Sequence, residues 1–145
     1  MSKAQSRSIT QLHQFIEQFN FATIICHGHS EFNVSHIPVI LDRTIGSQGT
    51  LKWHLAKKNP QVQILESAHD ILCIFHGPHA YISPRWYKTS PNVPTWNYAT
   101  VSAYGKPTKV ESELLENDLT QLVSMHESES GYVIPNVFTM AINTH

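Results

Sequence analysis

The chain has 145 residues, 41% of them hydrophobic, and a formal net charge of −1 at pH 7. The hydrophobic content excludes a disordered chain, and the length predicts one globular domain over 1–145. No apolar run could span a bilayer, residues 1–10 are too polar for a signal peptide, and the charge balance makes a nucleic acid partner improbable. We therefore expect a cytoplasmic protein without a membrane partner.

The first third of the sequence predicts a helix followed by two strands. Residues 8–19 carry apolar side chains at helical spacing and begin with a capping-box pattern. β-branched and aromatic residues predict strands over 21–27 and 32–41. Pro38 places the second strand at a sheet edge or a bulge.

The middle of the sequence predicts two more strands separated by a short helical turn. A glycine turn over 46–49 leads to a strand over 50–54, and a helical turn over 55–59 ends before Pro60. The run 71–76 is apolar almost throughout, which predicts a strand buried on both faces.

The last third predicts further strands and a second helix. A short strand over 80–83 follows a Gly-Pro turn, and alternation predicts a strand over 96–106. An amphipathic helix is predicted over 112–126, and a last strand or an arm over 132–142. This order of elements favours a mainly β fold, a small antiparallel barrel with flanking helices.

The segment 74–105 has the most unusual composition in the chain. It contains two histidines, four prolines, two tryptophans and four tyrosines, a mixture that fits neither a core nor a plain loop. It includes the longest irregular loop, 84–94, which favours a functional role. A rigid aromatic wall with polar tips is typical of a site for a flat, partly polar ligand.

Three further patterns are candidates for parts of a binding site. Lys57 and Lys58 follow His54 in a turn that could bind a phosphate, although a solvated basic turn explains the same pattern. His36 could donate to a ligand oxygen or pair with the nearby backbone. The run 96–98 combines Trp96, Asn97 and Tyr98, which could read and stack a heteroaromatic ring or plug a core.

The histidines and cysteines provide little support for a metal site. Ten histidines are scattered along the chain, and neither zinc spacing nor a nucleophile elbow is present, so we expect no metal site and assign no catalytic residue. One histidine suffices to bind haem, and His76 and His79 are candidates for that role. Cys26 and Cys73 each lie in an apolar run and are predicted to be buried, reduced thiols.

Four motifs together resemble one protein family. They are HIP at 36–38, HLAK at 54–57 followed by NP at 59–60, FHGPHAYISP at 75–84 followed by WY at 86–87, and VPTWNY at 93–98. In this order they are similar to the PaiB-like, FMN-binding negative transcriptional regulators. Members of that family are usually longer and carry a C-terminal extension, so the resemblance is to a short form.

The resemblance implies a split β-barrel related to pyridoxamine-phosphate oxidases, assembled as a homodimer that binds FMN at the subunit interface. Carried onto this chain, it implies that the turn holds the FMN phosphate and that His36 lines the same groove. The other implied ligand residues fall into three groups. These are the phosphate turn with His54, Lys57, Lys58 and Asn59, the ring contacts Trp96, Asn97 and Tyr98, and the mouth residues Ser83, Trp86 and Tyr87.

Three functions follow as hypotheses from these observations. The first is an FMN-binding protein, with flavin-dependent oxidoreductase activity left open. The second is haem binding, as in split barrels similar to haem-utilisation proteins. The third is a regulator that acts through protein or DNA contacts, although the sequence contains no credible helix-turn-helix.

Overall fold

The structure is a computed structural model that describes residues 8–28, 31–68, 70–110 and 137–144. The helix predicted over 112–126 lies outside the described residues. Within the described part of the chain, no helix is long and apolar enough to cross a membrane.

Six antiparallel strands form a closed barrel in the order β1-β2-β3-β6-β5-β4. The strands are β1 Phe21–His27, β2 Phe32–Asp42, β3 Thr50–Ala56, β4 Ile71–Ile82, β5 Thr95–Lys109 and β6 Val137–Thr144. In the described part of the chain, the barrel is accompanied by two helices, α1 Ile9–Gln18 and α2 Gln61–Ser67, and a 3-10 turn, Pro84–Trp86. The predicted mainly β split barrel is confirmed.

The core fills the barrel interior with alternate side chains of each strand. Trp53, Phe75 and Met140, which come from three different strands, are fully buried. Cys26 and Cys73 are buried and free, as predicted, and the β1–β4 register places Ile24 rather than Cys26 opposite Cys73. Burial raises the pKa of the Cys73 thiol to about 12, so this thiol stays protonated and inert at neutral pH.

Helix α1 packs on the outside of the barrel through its inner face. Ser8 caps it in the predicted capping box with Gln11. On the helix's inner face, His13 contacts the Gln48 carbonyl through Nε2 at 2.8 Å. An added Cβ at Gly77 of β4 would lie 2.5 Å from the Phe15 ring, so the helix packs directly on that strand's backbone. α1 therefore connects the β2–β3 turn with the middle of β4.

The prediction for residues 55–60 is wrong in two respects. β3 continues through Ala56 because Leu55 is an inward residue of the barrel and is 4% exposed. Pro60 does not end a helix but precedes one, since its φ of −57° suits the first turn of α2. The buried side chains of α2, including Val62 and Leu65, pack on the core.

Two proline-containing segments also differ from expectation. Gly77 and Pro78 form no turn but a bulge within the continuous 12-residue strand β4, whose burial alternates rather than covering both faces. β2 is not an edge strand of the closed barrel, but Pro38 itself pairs only with β1 and so lies at a locally unpaired edge of β2. It is the last residue of β2 that pairs with β1, and the pairing with β3 begins one residue later, at Val39 with Trp53. A missing N–H costs least at such a position.

Candidate functional site

Beyond the bulge, β4 and β5 continue as a two-stranded arm formed by residues 79–82 and 95–98. Its aromatic side chains lie on the surface, with Tyr98 72% exposed and Trp96 57% exposed. Because the arm contributes nothing to the barrel core, its conformation is held by strand pairing and by ring contacts. Such an exposed aromatic surface is typical of a site that a ligand or partner covers.

The rings of the arm cluster on one of its faces. Tyr81 lies across from Trp96 with ring centroids 5.9 Å apart, and His79 contacts the same indole at 5.8 Å. Asn97 pairs with Ala80, and strand geometry directs its side chain to the opposite face from Trp96. The arm therefore presents rings on one face and an amide on the other.

The loop at the tip of the arm positions the predicted mouth residues. Ser83 caps the 3-10 turn, because its Oγ accepts a hydrogen bond from the Arg85 amide at 3.3 Å. Trp86 and Tyr87 follow, and both are exposed. The structure thus places Ser83, Trp86 and Tyr87 next to the arm that carries the aromatic run 96–98.

The predicted phosphate turn follows β3 near the opposite end of the barrel. His54 lies on the outer side of β3, whose inner side carries the buried Trp53. Lys57 and Lys58 are exposed at the turn. No acidic side chain appears between 54 and 65, so the local charge of the turn is positive.

Asn59 connects this turn to the barrel. Its Nδ2 donates to the Ser35 hydroxyl at 3.4 Å, and its Oδ1 accepts from the Gln61 amide at 2.9 Å. The buried Gln61 side chain donates in turn to the carbonyls of Ile24 and Asn33. Ser35 and Gln61 were missed in the sequence, because their partners are defined by the barrel and not by local spacing.

His36 lies one residue beyond Ser35 and lines an open groove of about 620 Å³. Its Nδ1 is 3.0 Å from the Thr23 hydroxyl on the neighbouring strand, which restrains the ring. The other lining residues come from the end of α1, the start of β1 and β4: Gln18, Phe19, Asn20, Phe21, Thr23 and His76. The groove and the turn therefore both contact strand β2, the groove through His36 and the turn through Ser35, whose side chains lie on opposite faces of the strand.

Within one chain the arm lies far from the His36 end of this groove, although its first pair, His79 and Tyr98, lies only two to three residues beyond His76 at the other end. Ser102, Ile74, Thr23 and His36 are successive register partners from β5 to β2, which spans about 14 Å at the usual strand spacing. Tyr98 lies four residues from Ser102, or about 13 Å along the strand. One chain therefore carries two half-sites, the turn near the His36 end of the groove and the arm with its mouth beyond the His76 end.

The histidines proposed for haem are also separated by the fold. His76 lines the groove, whereas His79 lies across the bulge against Trp96. Within the residues that the structure describes, no three His, Cys, Asp or Glu side chains are grouped for a metal ion.

The family model described as "Putative FMN-binding domain" matches residues 2–141. A curated relative, the protease synthase and sporulation protein PAI 2 of Bacillus subtilis, is 33% identical over 117 residues, which cover 81% of this chain and 56% of that protein. The chain spans roughly half the length of the curated relatives it matches, between 39% and 60%.

Solved structures show the same fold at low sequence identity. A protein from Listeria innocua described as a putative pyridoxamine 5′-phosphate oxidase aligns with a TM-score of 0.64 and 12% identity over 94% of this chain and 92% of that one. The FAD and heme binding protein of Mycobacterium smegmatis aligns with a TM-score of 0.71 and 12% identity over 97% of this chain and 68% of that one. By sequence and by fold, the chain belongs to the PaiB-like family of FMN-binding split barrels.

Proposed function

We propose that the chain binds FMN, with the phosphate at the turn 57–59 beside His54 and the flavin ring over the groove lined by His36. The observation that carries this proposal is the pair of exposed lysines on the turn that Asn59 joins to Ser35, the chain neighbour of His36. The donor chemistry fits the ligand, because lysines suit a phosphate dianion and an imidazole can donate to a flavin edge. The family match supports a flavin.

We propose further that the site is completed by a second copy of the chain. The outer barrel face exposes Phe32 at 71%, Phe21 at 62%, and Val34 and Tyr104 at about half. These side chains lie on β1, β2 and β5, and an apolar area of this kind is typical of a dimer interface. In the homodimer, Trp96, Asn97 and Tyr98 of one copy approach the flavin held by the other, and Ser83, Trp86 and Tyr87 line the mouth.

A bound flavin would supply one- and two-electron chemistry, which makes a flavin-dependent oxidoreductase the activity that we propose for this site. The residues of the chain bind and orient the cofactor and exclude water from it. His36, restrained by Thr23, can hold a hydrogen bond to the ring edge. The buried free thiols support a reducing compartment, and we place the protein in the cytoplasm.

Haem is the second candidate ligand, because His76 is exposed in a groove flanked by Phe19 and Phe21. One imidazole and an apolar, aromatic wall are the minimum that a haem site requires. A solved structure of the same fold, the Mycobacterium smegmatis protein, is described as binding both FAD and haem.

An absorption spectrum of the purified protein, followed by titration with FMN and with haemin, tests both candidates. We expect a flavin spectrum, or quenching of FMN fluorescence that saturates on titration. A Soret band that is lost in His76→Ala, with no response to FMN, would replace the flavin proposal by the haem proposal. A protein that responds to neither ligand would overturn both.

A further inference from the structure

Asn59 belongs to the proposed phosphate turn, but both ends of its amide already have partners within the chain. The Nδ2–Ser35 and Oδ1–Gln61 hydrogen bonds hold the side chain against β2 and against the start of α2. The backbone of Asn59 is also engaged, because its N–H donates to the Ala56 carbonyl at 2.8 Å and its carbonyl accepts from Val62 at 3.0 Å. This residue is therefore fully occupied in shaping the turn.

The structure behind Asn59 is rigid. Gln61 is 2% exposed, and its Nε2 lies within 3.4 Å of acceptors on two strands: the Ile24 and Asn33 carbonyls and the Cys26 sulfur. These strands belong to the closed barrel and cannot shift independently of the core. The position of the turn is thus transmitted from the barrel through Gln61 and Ser35 to Asn59.

We infer that Asn59 is a positioning residue, which fixes the turn that presents Lys57 and Lys58 to the phosphate end of FMN, and that Ser35 acts through it. This inference rests on the proposed function. It attributes the selectivity of the turn for a phosphorylated flavin to the hydrogen bonds of Asn59 with Ser35 and Gln61. The lysines alone are flexible point charges, and a preorganised turn reduces the ordering that binding costs.

The test compares the affinities of FMN and riboflavin, which differ by the phosphate. Asn59→Ala should weaken the affinity for FMN by about tenfold and leave the affinity for riboflavin unchanged, because the ring contacts lie elsewhere. Ser35→Ala should act in the same direction, although its hydroxyl lies behind Asn59. The double variant should lose no more than the larger single loss, since both substitutions break the same chain of hydrogen bonds.

Thr108→Val is the matched control, because it removes one hydrogen bond, Thr108 Oγ1 to the Ala141 carbonyl, on the opposite side of the barrel. It should leave the ratio of the two affinities at the wild-type value. A loss of FMN affinity in Asn59→Ala without any loss in Ser35→Ala would make Asn59 a direct ligand and overturn the inference. A wild-type protein that binds FMN and riboflavin equally would overturn the phosphate turn itself, and the inference with it.

Discussion

Strands β4 and β5 each contain two regions with opposite environments. In the barrel, Phe75 and Cys73 are fully buried, whereas Trp96 and Tyr98 on the arm are mostly exposed. The same two strands pair on both sides of the border. Strand pairing alone therefore does not bury side chains: the core stabilises the barrel half, whereas the aromatic half is exposed and available to a ligand or a partner.

The border between the two regions is the bulge at Gly77 and Pro78. A side chain at Gly77 would collide with the Phe15 ring of α1 and approach the Ala99 carbonyl to 3.1 Å. The extra residue of the bulge increases the local bend of the strand, which directs the arm away from the barrel.

The largest effect is expected in the barrel half. Phe75→Ala should lower the free energy of unfolding by about 3–5 kcal/mol, because it leaves a cavity in a fully buried position. Trp96→Ala should cost less than about 1 kcal/mol, since the indole is exposed. Urea unfolding of the apo-protein at a concentration where it is monomeric measures both. Equal losses would show that the arm is part of the core.

The border should be nearly as sensitive. Gly77→Ala should destabilise the protein by about 1–3 kcal/mol, because its Cβ would lie 2.5 Å from the Phe15 ring. Gly28→Ala is the matched control: its nearest neighbour would be Ile64 at 3.4 Å, an ordinary contact. Thermal unfolding of the two variants gives the comparison, and a partial rescue of Gly77→Ala by Phe15→Leu would identify the collision.

The phosphate turn should affect binding but not folding. Replacing both Lys57 and Lys58 by alanine should weaken the affinity for FMN by about tenfold, and the loss should be larger at low salt than at high salt. The midpoint of unfolding should change little. Lys106→Ala serves as the control, because this lysine is exposed on β5 beside Asn143. If Lys106→Ala weakens FMN as strongly, the effect reflects overall charge and not the turn.

The smallest effect concerns acid stability of the β2–β3 end. Two hydrogen bonds from Thr44 to the Asp42 carboxylate, aided by Lys52 at 3.4 Å, lower the pKa of Asp42. A carboxylate whose folded-state pKa lies below its unfolded-state pKa of about 3.9 stabilises the protein at pH values above about 3.9. This stabilisation is lost as the pH falls through the folded-state pKa. Asp42→Asn should therefore cost about 0.5 kcal/mol at pH 7 and progressively less below about pH 4.

Urea unfolding of wild type and Asp42→Asn at pH 7 and at pH 3 measures this difference. A difference that grows toward low pH would contradict the assigned sign. Glu66→Gln is a suitable control, because its contact with Lys109 is exposed and long at 3.9 Å.

Much of the fold could be predicted because its signals are local. The capping box at Ser8 and the β-branched, aromatic residues of β1 are local features of the sequence, and the helix start and the strand that they predicted were both confirmed. The region after β3 was predicted wrongly for the opposite reason. Leu55 is drawn into the strand by the core, and α2 forms because its buried face packs on the barrel end, which no local pattern reveals.

The candidate site divides in the same way. The aromatic run of the arm and the lysine turn were visible in composition, and the structure places each on the surface. Their mutual distance was not visible, since it depends on the strand order of the closed barrel. The Ser35–Asn59 bond, between residues 24 positions apart, is equally a product of the tertiary fold.

The central claim is that one flavin site is built from the turn of one copy and the arm of another. A turn-defective chain, with Lys57 and Lys58 replaced by alanine, can be co-refolded with an arm-defective chain in which Trp96 and Tyr98 are replaced. With random pairing, about one quarter of the wild-type high-affinity FMN sites should reappear, all of them in mixed dimers that keep one intact pair of half-sites. A mixture that binds no more FMN than the two separate variants would contradict the shared site.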